Sequence, residues 1–145
     1  MKKKLVATLL TAAMVCSMGA VSAVSVAAEE ADTLTIGFSQ VGAESDWRTA
    51  NTESMKTTFS EENGYELIFD DAQQKQENQV TAIRNFIQQE VDYILLAPVT
   101  ETGWDTVLQE AKDAGIPVII VDRMVDVSDD SLYTSWIGTD ASGRT

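Results

Sequence analysis

The sequence contains no histidine and only one cysteine, Cys16, close to its start. Disulfides, histidine-based metal sites and catalysis by cysteine or histidine are therefore excluded for the rest of the chain. The glycine-rich spacings that cradle phosphates, GxGxxG and GxxxxGK[ST], are also missing. We accordingly expect no dinucleotide cofactor, no metal and no enzymatic activity.

Basic residues are few, with 10 Lys and Arg against 23 Asp and Glu and a formal net charge of −13. Three of the ten, Lys2, Lys3 and Lys4, lie in the opening "MKKK", so the chain that follows has 7 basic and 23 acidic residues, a net charge of −16. Such a chain repels phosphate backbones and anionic lipid, and nucleic acid is not an expected partner. The acidity suits the solubility of an exported protein.

Residues 1–28 have the order of a secretory signal peptide, with cleavage expected after Ala27 or Ala28. The basic start is followed by the apolar "LVATLLTAAMV" and then by "SMGAVSAVSVAAEE", which is rich in small residues. A retained N-terminal anchor helix is the alternative, although the apolar stretch is short for a membrane span. Val15 stands where lipidation of Cys16 would need a small residue, so we expect no lipid there.

Residues 29–145 suffice for one hydrophobic core.

Short apolar runs alternate with segments of helical period through residues 29–145. The runs predict strands at 33–38, 65–70, 91–98 and 116–122, with a less regular fifth strand within 131–140. The segments between them predict helices at 45–64, 72–90 and 101–115. Continuously apolar strands alternating with helices are typical of a doubly wound α/β fold with a parallel sheet. The final "ASGRT" predicts the first turn of another helix, capped by Asp140, and we expect a longer protein to continue from it.

In such sheets ligands bind beyond the carboxyl ends of the strands, which directs attention to the loop "SQVGAESDWR" after the first strand. In one interpretation, Trp47 is a flat apolar platform for a small polar ligand, and Arg48, Glu44 and Ser45 bond its hydroxyl groups. In the alternative, Trp47 begins the apolar face of the first helix, together with Ala50, Met55 and Phe59, and Arg48 is solvated.

Asp122 and Arg123 follow the fourth strand and form a second candidate pair. A guanidinium beside a carboxylate suits vicinal hydroxyl groups, because it offers donors next to acceptors. The alternatives are an ion pair at the strand end, or Asp122 acting as a cap. Both candidate pairs are expected at the same edge of the sheet, which favours a shared site.

Other polar residues have structural interpretations. The glutamines of "AQQKQENQ" are expected to form a solvated helix face, capped by Asp70 or Asp71. Glu101 suits the first turn of its helix, and Trp104 suits the core face of that helix. The acidic stretch "DVSDD" lacks the length and the central glycine of a calcium loop and is interpreted as a solvated turn.

The chain resembles the periplasmic sugar-binding proteins of ABC importers, a family that includes the ribose- and galactose-binding proteins. The stretches that carry the resemblance are "LTIGFSQVGAESDWR", "DDAQQKQENQVTAIRNFI", "VDYILLAPV", "GWDTVLQEAKDAGIPVIIVDR" and "SLYTSWIGTD". The stretches "FSQVG-ES-WR" and "QQKQENQ" are most similar to the galactofuranose-binding subgroup. Ser45-Asp46-Trp47 stands where ribose binders have Asn-Pro-aromatic, which argues against ribose.

The resemblance implies two α/β lobes that close on one monosaccharide and deliver it to a membrane permease. Residues 29–145 would form most of the first lobe of a monomer that is exported to a periplasm or held at a Gram-positive surface. The alternative role is the sugar-sensing ectodomain of a receptor or kinase. The family pattern places ligand contacts on six residues: Glu44, Ser45, Trp47, Arg48, Asp122 and Arg123. Asp46 departs from the small residue usual in the subgroup and is included in the site because it adds a negative charge at the rim of the pocket.

Overall fold

The computed structural model describes residues 32–138. Five strands alternate with three helices in chain order: β1 (Leu34–Gln40), α1 (Asp46–Thr58), β2 (Tyr65–Asp71), α2 (Gln76–Gln88), β3 (Tyr93–Leu96), α3 (Asp105–Asp113), β4 (Val118–Val121) and β5 (Ser135–Ile137). Single 3-10 turns lie at Glu61–Asn63 and Asp130–Leu132. The predicted signal peptide, and the helical turn predicted after Asp140, lie outside the described residues.

All strand pairings are parallel, and the strand order is β2-β1-β3-β4-β5. The predicted parallel α/β sheet is confirmed, and so is its uncertain fifth strand, which pairs with β4 from Ser135 to Ile137. Because the strands are parallel, their carboxyl ends share one edge of the sheet. We call this edge the carboxyl edge; it comprises the loops after Gln40, Asp71, Leu96 and Val121 and the end of β5 at Ile137.

Helices α2 and α3 cover one face of the sheet. Phe86 of α2 lies so close to Gly37 of β1 that a Cβ there would be 2.5 Å from the phenyl ring. The core on this face contains residues of both helices and of β3 and β4: Ala82, Ile83, Phe86, Ile94, Leu96, Val107, Leu108, Ala111, Val118 and Ile120. Trp104 is fully buried in the same core, which confirms its predicted packing role.

Helix α1 packs on the other face. The buried residues there are Ile36, Phe38, Val41, Leu95, Ala97 and Val121. Met55 of α1 and Phe59, which follows the last residue of the helix, pack against them but remain partly exposed. Helices on both faces confirm the doubly wound arrangement.

The predicted start of the third helix at Glu101 is wrong, because α3 begins at Asp105. Gly103 has a φ of +88° just before it, a backbone geometry that a regular helix does not contain. The carbonyl of Glu101 instead accepts a hydrogen bond from the backbone N–H of Asp126. Glu101 therefore joins the loop after β3 to the loop after β4.

Candidate functional site

Helix α1 begins at the carboxyl edge because Ser45 caps it. The backbone of Ser45 is extended, with φ −148° and ψ 158°, and its side chain accepts a hydrogen bond of 3.2 Å from the N–H of Arg48. Asp46 occupies the exposed first helical position, where a carboxylate interacts favourably with the helix dipole. The cap fixes the direction of the helix and with it the positions of Trp47 and Arg48.

The expectation that Trp47 begins the apolar face of α1 is wrong. Trp47 is 56% exposed, whereas Arg48 is only 5% exposed and Thr52, one turn further, is also buried. Ala50, placed on the same apolar face by its spacing, is exposed as well. The helix is therefore rotated so that it buries a cation, and the indole faces solvent.

Arg48 is buried because its guanidinium has acceptors on several sides. The Nε atom donates to Oε1 of Glu44 at 3.1 Å, and Nη1 donates to Oε1 of Gln40 at 3.4 Å. The Nη2 atom forms an ion pair of 2.7 Å with Oδ2 of Asp122. A buried arginine needs such partners, since an unpaired buried charge is very costly.

The ion pair between Arg48 and Asp122 brings the two predicted residue pairs together. Asp122 follows β4 and Arg48 follows β1, and these strands are separated in the sheet by β3. Together with Glu44 they form a cluster of two carboxylates and one guanidinium, net charge −1. The cluster places acceptors beside a fixed cation, an arrangement suited to the hydroxyl groups of a neutral ligand.

The indole of Trp47 lies next to this cluster. The guanidinium carbon of Arg48 is 4.9 Å from the centre of the Trp47 ring, within the range of a cation–π interaction. A groove of about 300 Å³ adjoins the ring; Asn51, Met55, Val121, Asp122, Ile137 and Gly138 also line it. The groove thus combines an apolar wall with the carboxylate of Asp122.

Asp122 is held in a backbone conformation that is unusual for a residue other than glycine, with φ +68°. Its N–H donates to the carbonyl of Ile137 at 2.8 Å, and its carbonyl accepts from Nε1 of Trp136 at 3.2 Å. Gly138 packs directly against the same carbonyl, where a Cβ would not fit. The end of β5 therefore supports the strained residue that presents its carboxylate to Arg48.

Asp122 and Arg123 do not pair with each other. Arg123 is exposed, and its Nη1 donates a long hydrogen bond of 3.5 Å to the carbonyl of Val99 in the loop after β3. The predicted strand-end pair is replaced by the longer-range pair of Asp122 with Arg48. Arg123 remains at the carboxyl edge, where it contacts the loop after β3 instead of the cluster.

Two buried glutamines at the carboxyl edge were not predicted. Gln40, at the end of β1, and Gln79, in α2, are both fully buried. The Gln79 amide donates to the Ala97 carbonyl at 2.7 Å, and its Oε1 accepts from the Val99 N–H at 2.8 Å. The solvated helix face expected for the glutamines is thus wrong for Gln79. Its spacing from Ala82, Ile83 and Phe86, on one helix face, was the available signal.

Asp70 and Asp71, at the end of β2, were predicted to cap α2, and this prediction is wrong. The N-cap is Lys75, which makes no capping side-chain bond, while Asp71 accepts from the N–H of Gln73 within the loop. Asp70 accepts from the hydroxyl of Ser39 at 3.4 Å. Burial raises the pKa of Asp70 above its ordinary value, and the charge of Asp71 adds to this effect while the Ser39 hydrogen bond opposes it.

No group of acidic residues within 32–138 is arranged to hold a metal ion. The stretch 126–130 behaves as the predicted turn: Asp129 caps the 3-10 turn that follows it and lies 3.8 Å from the Lys112 ammonium. The same part of the chain contains no helix long and apolar enough to cross a membrane.

A profile of the periplasmic binding protein domain matches residues 36–144. The chain belongs to this family. Among curated proteins, it is 53% identical over 123 residues to the galactofuranose-binding protein YtfQ of Escherichia coli K12, covering 83% of this chain and 38% of YtfQ. The chain thus spans little more than a third of that family member.

Solved structures of similar proteins superpose well on the chain. A Mycobacterium smegmatis protein in complex with β-D-fucofuranose gives a TM-score of 0.71 at 61% identity, over 74% of this chain and 35% of that protein. The periplasmic binding component of an arabinose ABC transporter from Shewanella sp. ANA-3, bound to α- and β-L-arabinofuranose, has a TM-score of 0.70 at 57% identity. The match covers 73% of this chain and 35% of that protein. A less similar structure, the fructose-binding periplasmic domain of the hybrid two-component system BT1754, has a TM-score of 0.62 at 27% identity, over 74% of this chain and 34% of that protein.

Proposed function

We propose that residues 29–145 form the first lobe of an exported solute-binding protein, preceded by a signal peptide at 1–28, and that the complete protein binds one monosaccharide between two lobes. The observation that carries the proposal is the Arg48–Asp122 ion pair, 2.7 Å long, which unites two separately predicted residue pairs beside an exposed tryptophan. A sugar needs both polar side chains and an aromatic surface, because its hydroxyls donate and accept hydrogen bonds and its C–H faces are apolar.

The ligand is a furanose in this proposal. The names of YtfQ and of the Shewanella protein specify galactofuranose and arabinofuranose, and both proteins are more than half identical to this chain over the matched part. Trp47 provides the platform for the ring, and the cluster of Glu44, Arg48 and Asp122 bonds its hydroxyls. Ser45 and Asp46 at the helix start, and Arg123 beyond β4, complete the contacts of this lobe.

Binding, not chemistry, is the mechanism proposed for these residues. The cluster contains a cation already paired with carboxylates and no nucleophile beside a base. The two lobes close around the sugar by a hinge motion, and the closed form delivers it to the membrane permease of an ABC importer. The Shewanella protein, a component of an ABC transporter by name, supports the importer role.

A sugar sensor is the second candidate, favoured by the similarity to the periplasmic domain of a two-component system. Uptake of radiolabelled sugar separates the two roles, because deletion of an importer's binding component abolishes uptake of its sugar at low concentration. A sensor deletion would change the transcriptional response and leave an established uptake system working.

The ligand is tested on the full-length mature protein encoded by the gene, titrated calorimetrically with arabinose, ribose, glucose, galactose and galactofuranose. Saturable binding of one or two sugars is expected. Trp47→Ala should weaken that binding by at least ~10-fold, equivalent to ~1.4 kcal/mol. Tyr93→Ala is the matched control, since Tyr93 is an exposed aromatic residue at the opposite end of the sheet. Binding of none of the sugars would refute the function, and unchanged affinity of Trp47→Ala would remove Trp47 from the site.

A further inference from the structure

Gln40 is the most completely bonded side chain beside the site, and the proposed sugar contacts do not include it. Its Nε2 donates to Oδ1 of Asn51 at 2.8 Å and to Oγ1 of Thr52 at 3.3 Å. Its Oε1 accepts from the N–H of Val41 at 3.1 Å and from Nη1 of Arg48 at 3.4 Å. The side chain is fully buried, so water does not compete for these bonds.

These bonds define which way the amide faces. The Val41 N–H and the Arg48 guanidinium are donors only, so the oxygen of the Gln40 amide must face both of them. The NH₂ group then faces α1, where Asn51 and Thr52 accept from it. An inverted amide would set donors against donors in a buried place, at a high cost in free energy.

We propose that Gln40 is a positioning residue that fixes the orientation of the Arg48 guanidinium at the carboxyl edge. Glu44 and Asp122 attract the guanidinium from the loops after β1 and β4, but both carboxylates are partly exposed. Gln40 holds it from within the fold, at the end of β1, where Gln40 pairs with Asp71 of β2 and the preceding Ser39 pairs with Leu96 of β3. The cation is thus prevented from following either carboxylate, and its remaining N–H groups keep one direction for a ligand. The use of that direction by a sugar rests on the proposed function.

The orientation is tested on the full-length mature protein by the ¹⁵N NMR signal of the Arg48 Nε–Hε group, assigned with an Arg48→Lys variant. Gln40→Met has nearly the same size but bonds none of the four partners, so the signal should broaden beyond detection. Gln40→Glu keeps the acceptor oxygen, and the Asn51 amide and Thr52 hydroxyl can turn to donate to it, so the signal should persist. Ile83→Val, in the core on the opposite face of the sheet, is the control for a general loss of stability.

Sugar affinity provides the second readout. Gln40→Met should weaken binding by ~10-fold or more in the wild-type background and have little effect in the Arg48→Lys background, because it acts through the guanidinium. Loss of the NMR signal in a protein that binds no sugar would support the positioning role and refute the proposed function. An unaffected signal, or a loss equal to that in Ile83→Val, would overturn the positioning role. Unchanged sugar affinity despite a lost signal would overturn the use of the fixed guanidinium by a sugar.

Discussion

Arg48 shows at the scale of one residue how the site and the stability of the fold are linked. Its side chain is 5% exposed, while the side chains of its partners Glu44 and Asp122 remain 28% and 27% exposed. The pair therefore lies between a surface ion pair, worth ~0–1 kcal/mol, and a fully buried one, whose disruption costs ~3–5 kcal/mol. The residue that contacts the ligand in our proposal also holds two loops together.

Arg48→Met should lower the free energy of unfolding by ~1–3 kcal/mol, because Glu44 and Asp122 lose their counter-ion in a partly dry place. Urea denaturation at pH 7 measures the change. Arg84→Met is the matched control, since Arg84 pairs with Glu110 on the surface, and it should destabilise less. Equal losses at the two arginines would contradict the structural role assigned to Arg48.

Asp70→Asn should stabilise the protein at pH 7 and not at pH 3. The pKa of Asp70 is raised in the folded state, chiefly by burial, so its ionisation is harder in the folded than in the unfolded chain. Stability is therefore lost as the pH rises from the unfolded pKa of ~3.9 through the folded pKa. Asparagine has no charge to bury, and its carbonyl can still accept from Ser39.

The difference in stability between Asp70→Asn and wild type is measured by urea denaturation from pH 3 to pH 7. As the pH rises, the difference should develop between the pKa of Asp70 in the unfolded chain and its raised pKa in the folded chain, and it should stay constant at higher pH. A difference that is the same at pH 3 and pH 7 would show that the effect does not come from ionisation.

At the scale of elements, α2 does more than cover one face of the sheet. Through Gln79 it bonds the backbone of Ala97 and Val99 in the loop after β3. The carbonyl of Val99 in turn accepts from Arg123, so the helix supports part of the carboxyl edge. A buried side chain that satisfies backbone groups of another element ties the two together, because unpaired backbone groups are costly.

Gln79→Met should lower the free energy of unfolding by ~1–3 kcal/mol, since it leaves the Ala97 carbonyl and the Val99 N–H without their partner. Gln88→Met is the matched control, with the same substitution at an exposed position of the same helix. The control should change stability by less than ~0.5 kcal/mol. A change at Gln79 no larger than at Gln88 would show that the loop does not depend on the amide.

The elements themselves were predictable, whereas the polar contacts between them were not. Strands β1, β3 and β4 are apolar runs, and burial follows from their composition. The orientation of α1 was predicted wrongly, because a tryptophan at helical spacing suggests core and an arginine suggests solvent. The partner that buries Arg48 is Asp122, 74 positions along the chain, and such pairing has no local signal. Gln79 did have a local signal, its place on the apolar face of α2, but glutamine is usually exposed and the side chain was therefore predicted to face solvent.

At the scale of the whole molecule, the two faces of the sheet are covered unequally. Helices α2 and α3 bury a continuous core on one face. On the other face α1 leaves large apolar side chains accessible next to β4 and β5, such as Ile137, which is 63% exposed. In our proposal the described elements supply one side of a binding cleft, and a sugar held by them alone would meet water on its other side.

Residues 29–145 expressed by themselves should bind sugar weakly or not at all. A ligand that contacts one lobe loses the desolvation and the hydrogen bonds that the second lobe would add in the closed form. Calorimetric titration of this segment and of the full-length mature protein under the same conditions makes the comparison. Micromolar affinity of the isolated segment would contradict the two-lobe proposal.

The fold itself orders the Arg48 side chain, through its bonds to Gln40, Glu44 and Asp122. In our proposal this half of the cleft is thus preorganised, and a sugar that reaches it does not have to immobilise a long, freely rotating arginine side chain. Ordering such a side chain on binding costs ~0.5–1.5 kcal/mol. Folding has already ordered Arg48, so this cost does not fall on the binding step. We therefore expect selectivity among sugars to depend on the second lobe of the proposed protein, because the contacts that Arg48 offers are already fixed in the first.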